Sequence, residues 1–165
     1  MAIWPGQPTR DALARLALPQ VTGISRTAPA NLHATLRFIG EPPGPPEAVI
    51  AALRTVRVDR SPTVIVGPST CWIGRYALCL PAGGLDPLAG ELDRVLADIG
   101  IGPRPERFLG HITIARARRN APESVLGTLV DLPFDSRFPA RTFDLVNSMP
   151  SPVGPTYESV ATFRI

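Results

Sequence analysis

The chain has 165 residues, of which 44% are hydrophobic and 19% charged, and it carries a net charge of +3. This size fits one domain with its own core, and the composition excludes a disordered or fibrous chain. All 17 basic residues are Arg. Their excess over the 14 acidic residues fits an anionic partner such as nucleic acid, but it also fits an ordinary solvated surface.

No apolar run approaches the roughly 20 residues needed to span a membrane, and the first residues lack the pattern of a signal peptide. We therefore expect a cytoplasmic protein that does not associate with a membrane. Cys71 and Cys79 have neither CxxC nor zinc-knuckle spacing, so we expect both to be buried, reduced thiols.

The first elements alternate between helix and strand. Apolar spacing predicts a helix over 9–17 with Thr9 as its N-cap. Period-two alternation predicts a strand over 32–39. A rigid Pro-rich loop at 41–46 ends this strand, and a helix begins near Glu47. The alternation in the strand places Ala34, Leu36 and Phe38 on one face and His33, Thr35 and Arg37 on the other.

The middle of the chain contains two short β-type runs, at 63–66 and 73–80. The clearest helix begins at Asp86 and ends at Gly100, a suitable helix terminator. A second polar-faced strand follows at 109–115.

The last part of the chain predicts a helix at 122–130 and two strands at 140–147 and 157–164. A turn-rich segment, 150–155, separates these strands. No shift in composition marks a domain boundary. The strand-helix-strand pattern of the first part recurs around the second polar-faced strand, which suggests two similar lobes within one domain.

The two histidines of the chain occur in the same local setting, His33-Ala34-Thr35-Leu36 and His111-Ile112-Thr113-Ile114. With 12 Thr among 165 residues, a Thr two positions after both histidines is expected by chance in roughly 0.5% of cases. In a strand, residues i and i+2 point to the same side, so each motif delivers an imidazole and a hydroxyl to one face.

This pairing suits acid-base chemistry on a phosphate. An imidazole titrates near neutral pH and can act as acid or base, which is worth about 10² to 10⁴ in rate. The hydroxyls of Thr35 and Thr113 could donate hydrogen bonds to phosphate oxygens. Arg116 is the best cationic candidate, although strict alternation puts it on the face opposite His111, and it reaches a phosphate only if the strand ends, twists or bulges.

Two other interpretations of the histidines compete with this one. A lone His on a strand is more often a structural residue, but the matched pair favours chemistry. Zinc is a second alternative, and two histidines without suitably spaced further ligands are too few for it.

These motifs resemble the paired HxTx motifs of the two-histidine phosphoesterase superfamily, and within it the RNA 2',3'-cyclic phosphodiesterases, also called 2'-5' RNA ligases or LigT-like proteins. Residues 31–40 are similar to the family segment NLHxTLxFLG, and 108–116 are similar to F-x-P-H-x-T-L-A-R. Leu145-Val146-Asn147-Ser148, with Gly154 and Tyr157 after it, looks like the closing hairpin of the family.

The resemblance implies an α+β fold with a single bilobal domain over 1–165. Two pseudo-symmetric lobes with antiparallel sheets would line a central cleft, with helices outside. His33 would be the proton donor to the departing ribose oxygen and His111 the proton acceptor from water. Thr35, Thr113 and Arg116 would hold the phosphate, without metal or cofactor.

The implied reaction opens a terminal 2',3'-cyclic phosphate to a 2'-phosphomonoester, and the same site could form a 2'-5' linkage with a 5'-hydroxyl. The expected partner is RNA or a nucleotide with a 2',3'-cyclic phosphate end, including tRNA fragments, and the expected state is a monomer. One alternative is the same chemistry on small cyclic nucleotides or cyclic ADP-ribose phosphate. Another is a non-catalytic module that binds RNA ends.

Two features fall outside the motifs. Gly110 stands where the family usually has Pro, and we expect a looser approach to His111 there. Phe108, Trp72 and Tyr157 could stack on a base, but a core position is expected for each.

Overall fold

A computed structural model of the chain describes residues 1–119, 121–150 and 155–165. Within these residues, ten strands and four α-helices confirm the α+β class. The helices are α1 (Gln7–Arg15), α2 (Pro46–Leu53), α3 (Asp86–Ala97) and α4 (Glu123–Leu126). The strands are β1 (Ala2–Ile3), β2 (Ile24–Arg26), β3 (Ala34–Thr35), β4 (Thr63–Val66), β5 (Cys71–Ile73), β6 (Ala77–Gly83), β7 (His111–Ala117), β8 (Ser136–Pro139), β9 (Thr142–Met149) and β10 (Thr156–Arg164).

The described strands pair in antiparallel fashion, in the order β10-β9-β1-β3-β7-β6-β4-β8, with β2 added to β7 and β5 added to β6. The two predicted motif strands, β3 and β7, are neighbours in the middle, with three strands of this order beyond each of them. This arrangement agrees with two similar halves. That the chain forms a single bilobal domain stays a prediction.

The core lies on the face of the sheet that points away from the histidines. Ala34 and Ile112, which alternate with the histidines along β3 and β7, are fully buried. They belong to one apolar cluster with Leu53 of α2 and Leu92 of α3. The helices therefore cover this face and leave the other face of β3 and β7 free to form a site.

Helix α1 differs from its prediction at both ends, because it spans Gln7–Arg15 instead of 9–17. The N-cap is Gly6, and Pro occupies the first turn, where a missing N–H costs no hydrogen bond. Thr9 lies inside the helix, where its hydroxyl forms a 2.8 Å hydrogen bond with that of Ser136. Its side chain thus joins the helix to β8 instead of capping it.

The strand predicted over 32–39 is regular only at β3, and its alternation inverts after Leu36. Arg37, expected on the wet face, is 6% exposed, whereas Phe38, expected in the core, is 78% exposed. The cause is an ion pair, since Nε of Arg37 lies 3.5 Å from Oδ1 of Asp93 on α3. The backbone N–H groups of Leu36 and Arg37 both donate to the carbonyl of Met1.

The remaining elements follow the sequence pattern with shifted ends. Helices α2 and α3 and strand β4 lie where they were predicted. The run 73–80 is a hairpin of β5 and β6, because Gly74 adopts a positive φ of 59° and turns the chain. The helix predicted over 122–130 is one turn of α4 followed by a 3-10 turn at Gly127–Leu129.

Strands β1, β2 and β8 were missed because they are only two to four residues long. In the turn predicted over 150–155, residues 151–154 lie outside the described residues. None of the helices in the described ranges is long and apolar enough to cross a membrane.

Candidate active site

The pairing of β3 with β7 brings the two motifs together. Ala34 lies directly opposite Ile112 in an antiparallel register. The residues one step away on either side therefore face each other across the strands, so that His33 is opposite Thr113 and Thr35 is opposite His111. A local two-fold axis through this pair relates the two HxTx motifs.

The ring of His33 is held at both nitrogens. Nδ1 lies 2.8 Å from the carbonyl oxygen of Asn31, and Nε2 lies 3.2 Å from Oγ1 of Thr35. A carbonyl can only accept, so Nδ1 carries a hydrogen and donates it. In the neutral ring, Nε2 is then the free base that faces the hydroxyl.

His111 repeats the same arrangement. Its Nδ1 lies 2.7 Å from the carbonyl oxygen of Leu109, which is again the residue two positions before the histidine. Both rings therefore have the same tautomer when neutral, with Nε2 available for proton transfer. The hydrogen bond that one ring nitrogen makes in this way determines which nitrogen is left to accept or donate a proton.

A cleft of about 210 Å³ opens in front of the two rings. All five residues proposed from the sequence line it, namely His33, Thr35, His111, Thr113 and Arg116. The other lining residues are Ser25, Arg26, Thr27, Ala28, Asn31, Pro155 and Tyr157. Two imidazoles, several hydroxyls and two arginines around one small cavity can transfer protons and bind an anion.

Arg116 reaches the cleft because β7 has a bulge. Leu78 of β6 pairs with Ala115, but the next residue, Cys79, pairs with Thr113, so that Ile114 has no partner on β6. An extra residue shifts the alternation of the strand by one position. Arg116 thereby comes to the face of His111, which meets the condition stated from the sequence. The carbonyl of Ile114 accepts a 2.9 Å hydrogen bond from the N–H of Thr27 beside β2.

Burial lowers the pKa of His33 below its usual 6.5. The hydrogen bond from Nδ1 to Asn31 opposes this shift, while the positive charges of the N-terminal amine, His111 and Arg116 add to it. The free protein therefore favours the neutral form of His33 near neutral pH.

Two aromatic side chains pack against His33, and neither was expected there from the sequence. The ring centroid of Tyr157 lies 4.5 Å from that of His33, and the centroid of Trp4 lies 5.2 Å away. Tyr157 thus lines the cleft, against the expectation of a core position. Phe108 and Trp72 do pack against the core, as expected.

A wider groove of about 770 Å³ adjoins the cleft and shares His33, Thr35 and Tyr157 with it. The groove also includes Phe38 and Val160, whose side chains are 78% and 51% exposed. Apolar side chains left exposed next to a polar cleft are suited to contact a base or a sugar. The alternation over 32–39 had placed Phe38 in the core, so the sequence contained no signal for this role.

The two cysteines lie opposite each other on β5 and β6, and both are free thiols. Cys79 is buried as expected, and Cys71 is half-buried. Sγ of Cys79 lies 3.6 Å from Oγ1 of Thr113, and burial raises the pKa of this thiol. Cys79 therefore packs behind a cleft residue as a neutral thiol.

Metal ligands do not cluster in the described ranges, where no group of three or more His, Cys, Asp or Glu side chains could hold an ion.

Gly110 is tightly packed instead of loose, contrary to expectation. A Cβ at this position would lie 2.2 Å from the carbonyl oxygen of Ala82, whose N–H donates to the carbonyl of Gly110 at 2.8 Å. There is therefore no room here for a side chain, including that of the Pro which the resemblance implied.

The sequence is similar to those of two proteins that are named RNA 2',3'-cyclic phosphodiesterases. An RNA 2',3'-cyclic phosphodiesterase of Aeropyrum pernix is 32% identical over 128 residues, which cover 70% of this chain and 69% of the relative. An RNA 2',3'-cyclic phosphodiesterase of Archaeoglobus fulgidus is 30% identical over 161 residues, which cover 89% and 87% of the two chains. No family model matches the sequence.

Among solved structures, the protein TT0787 of Thermus thermophilus superimposes with a TM-score of 0.82 at 26% identity. The match covers 99% of this chain and 94% of that protein. The whole described fold is therefore shared, including the strands that carry the histidines.

Proposed function

Because the chain belongs to the RNA 2',3'-cyclic phosphodiesterase family of two-histidine phosphoesterases, we propose that it hydrolyses terminal 2',3'-cyclic phosphates to 2'-phosphomonoesters. One observation carries this proposal. The two imidazoles face one cleft, and each uses Nδ1 to donate to a backbone carbonyl, which leaves both Nε2 atoms for proton transfer.

The reaction needs one acid and one base on opposite sides of the phosphorus. His111 accepts a proton from water as the water oxygen bonds to phosphorus, and His33 donates its Nε2 proton to O3' as the P–O3' bond breaks. The product carries the phosphate on O2'. A 5'-hydroxyl in place of water would form a 2'-5' linkage.

Assigning the acid role to His33 requires a proton that the free protein holds weakly, because burial lowers the pKa of this group. A bound phosphodiester supplies the missing stabilisation, since a negative charge beside an imidazole favours its protonated form. Substrate binding would thus protonate His33 in the complex. Thr35, Thr113 and Arg116 hold the phosphate oxygens in this proposal and stabilise the charge that develops on them.

The wide groove supports RNA as the substrate. The ribose bears the leaving O3', so it lies on the side of His33, where the 210 Å³ cleft opens into the 770 Å³ groove. A small cyclic nucleotide would leave most of this groove unused. We further propose that the protein acts on RNA ends, tRNA fragments among them, as a cytoplasmic monomer with one bilobal domain.

The test is hydrolysis, in EDTA, of an oligoribonucleotide that ends in a 2',3'-cyclic phosphate. Variants His33→Asn and His111→Asn keep an N–H near the position of Nδ1 but lack Nε2. We expect the wild type to form the 2'-phosphomonoester and each variant to be about 10² to 10⁴ times slower. Circular dichroism of each variant checks that the fold is intact.

Three outcomes would contradict the proposal. Wild-type turnover that disappears in EDTA and returns with a divalent ion would show a metal-dependent reaction. Binding of the oligonucleotide without turnover would favour a module that only binds RNA ends. Turnover of a cyclic mononucleotide alone would favour the small-nucleotide alternative.

A further inference from the structure

The two histidines, which the motifs make equivalent, have different surroundings. The ring of His33 lies against Tyr157 in an edge-on arrangement with an interplanar angle of 66°, and against Trp4 with an angle of 56°. Trp4 and Tyr157 also contact each other, with ring centroids 6.4 Å apart. Within the part of the chain that the structure describes, no aromatic ring packs on His111 in this way.

Trp4 is anchored by a buried carboxylate. Its indole Nε1–H donates a 2.9 Å hydrogen bond to Oδ2 of Asp144. The hydroxyl of Ser159 donates a 2.8 Å hydrogen bond to the same oxygen. Asp144 is 8% exposed, and the salt bridges among the described residues do not include it. A buried carboxylate is costly unless its hydrogen bonds are strong, so these two donors hold the position of the charge.

The backbone of Asp144 is itself firmly placed. It pairs with Ala2 of β1 on one side and with Thr162 of β10 on the other. Trp4 follows β1 directly, outside the regular strand. The hydrogen bond to Asp144 therefore connects the rigid sheet to a side chain that would otherwise have freedom to rotate.

We propose that Asp144 is a positioning residue that acts on His33 through Trp4. The hydrogen bonds to Asn31 and Thr35 lie at the two nitrogens of the imidazole, and the flanking rings of Trp4 and Tyr157 add a restriction on its plane. With the plane restricted, Nε2 points at the reacting oxygen and at the hydroxyl of Thr35. This inference rests on the proposed function, because it assigns the acid His33 a support that the base His111 lacks.

The expected effect of losing this support is on the chemical step. A misdirected Nε2 slows proton transfer without removing any group that binds the phosphate, so kcat falls while KM changes little. Displacements of about 1 Å at a reacting group can cost about 10²-fold in rate. We therefore expect a loss of kcat of about 10- to 100-fold when the anchor is removed.

The test compares Trp4→Phe and Asp144→Asn with the control Trp72→Phe. Trp4→Phe keeps an aromatic ring but loses the N–H donor, and Asp144→Asn removes the charge that strengthens the bond. Trp72→Phe makes the same substitution at an indole whose Nε1–H donates 2.9 Å to the carbonyl of Leu126, and neither of these residues lines the cleft. We expect the first two variants to lose kcat as stated, and the control to stay within about twofold of the wild type, since a neutral hydrogen bond outside the cleft does not orient His33.

A spectroscopic readout separates positioning from general damage. The chain has two histidines, so its NMR spectrum contains two imidazole Hε1 signals. Ring currents from Trp4 and Tyr157 displace the signal of His33, and the signal of His111 serves as an internal reference. In Asp144→Asn, which keeps both aromatic rings, we expect the His33 signal to move toward that of a free imidazole while the His111 signal stays in place.

The inference is overturned if kcat is unchanged in both variants, if the two histidine signals move together, or if Trp72→Phe loses as much kcat as Trp4→Phe. An inactive wild type would refute the proposed function. The His33 signal would then still show whether Asp144 and Trp4 orient the ring, so the two failures are distinguishable.

Discussion

Ala34 of β3 lies directly opposite Ile112 of β7, and the four motif side chains stand on either side of this one pair. The symmetry makes a prediction about the two hydroxyls. Under the proposed function, Thr35→Val and Thr113→Val would each remove one hydrogen bond to a charged phosphate, worth about 1.5 to 3 kcal/mol. We expect both to lower kcat/KM by comparable factors of about 10 to 100, according to steady-state kinetics.

The control for the hydroxyl variants is Thr63→Val, because Thr63 is an exposed strand residue that does not line the cleft. It should keep wild-type kinetics. If only one motif variant is impaired, the phosphate is not held symmetrically and the proposal for the other Thr fails.

The bulge at Ile114 predicts different effects for two arginines on the same segment. Arg116 lines the cleft, whereas Arg118 is exposed and does not line it. We expect Arg116→Gln to lower kcat/KM by about 10²-fold, as loss of a donor to the developing charge does. Arg118→Gln removes the same charge and should have an effect below about threefold at moderate salt, since exposed charges are screened. Equal losses in the two variants would indicate a general electrostatic effect.

The lowered pKa of His33 predicts the acid limb of the pH profile. The proposed mechanism needs one protonated and one neutral imidazole, so it predicts that activity is lost at low pH when both are protonated. Burial, the N-terminal amine, His111 and Arg116 oppose this second protonation. The acid limb of kcat/KM should therefore lie below the ordinary pKa of 6.5.

The same shift affects stability. The unfolded chain binds a proton at His33 near the ordinary value, and the folded chain does so only at lower pH, so the contribution is full above pH 6.5 and is lost as the pH falls. We therefore expect the free energy of unfolding to fall between about pH 7 and about pH 5, and to fall less in His33→Asn than in the wild type. Chemical denaturation at the two pH values measures this difference. An acid limb above 6.5, or equal losses of stability, would be inconsistent with a buried neutral His33.

Gly110 predicts a strong penalty for the smallest side chain. A Cβ there would lie 2.2 Å from the backbone oxygen of Ala82, which can move only with β6. We expect Gly110→Ala to lower the free energy of unfolding by about 1 to 3 kcal/mol and to reduce kcat, because His111 is the next residue. Chemical denaturation and kinetics measure both.

The control is Gly90→Ala, because Gly90 is exposed in α3 and a Cβ there meets nothing within 4 Å. This variant should gain about 0.5 to 1 kcal/mol from the helix propensity of Ala. A neutral Gly110→Ala would mean that β6 and β7 can separate without cost.

The exposed ring of Phe38 predicts a loss of affinity without a loss of stability. Stacking on a base is worth about 1 to 3 kcal/mol per base, so Phe38→Ala should raise KM for the oligonucleotide by about 5- to 100-fold. Leu109→Ala is the control, since Leu109 is 63% exposed and lines neither cavity. Unchanged KM would place the RNA outside the groove.

Much of the site could be predicted because the HxTx pattern is local. Alternation along a strand is sufficient to put His33 beside Thr35 and His111 beside Thr113, whatever the rest of the chain does. The position of Arg116 could not be predicted from alternation alone. The face of β7 on which it lies depends on the register of β7 against β6, where the partners of Leu78 and Cys79 skip one residue. Such a bulge leaves no mark in the residues of a single strand.

Where the structure differs from the sequence-based prediction, the cause is a contact between residues far apart in the chain. The alternation over 32–39 inverts because Arg37 pairs with Asp93 on a helix much later in the chain. Trp4 escaped notice because its anchor, Asp144, is 140 positions away. A local sequence pattern predicts which face of a helix or strand is buried. Contacts between residues far apart in the chain decide which side chains depart from that prediction.

Because the site lies between β3 and β7, recovery of turnover also reports on the order of folding events. Its two imidazoles lie 78 residues apart in the chain, so neither a nascent first half nor a proteolytic fragment ending before His111 holds both. The hairpin of β5 and β6 closes across three residues and can form early, whereas the pairing of β3 with β7 requires a long loop to close. Activity regained during refolding therefore reports when these two strands have paired, at a stage when circular dichroism already reports much of the secondary structure.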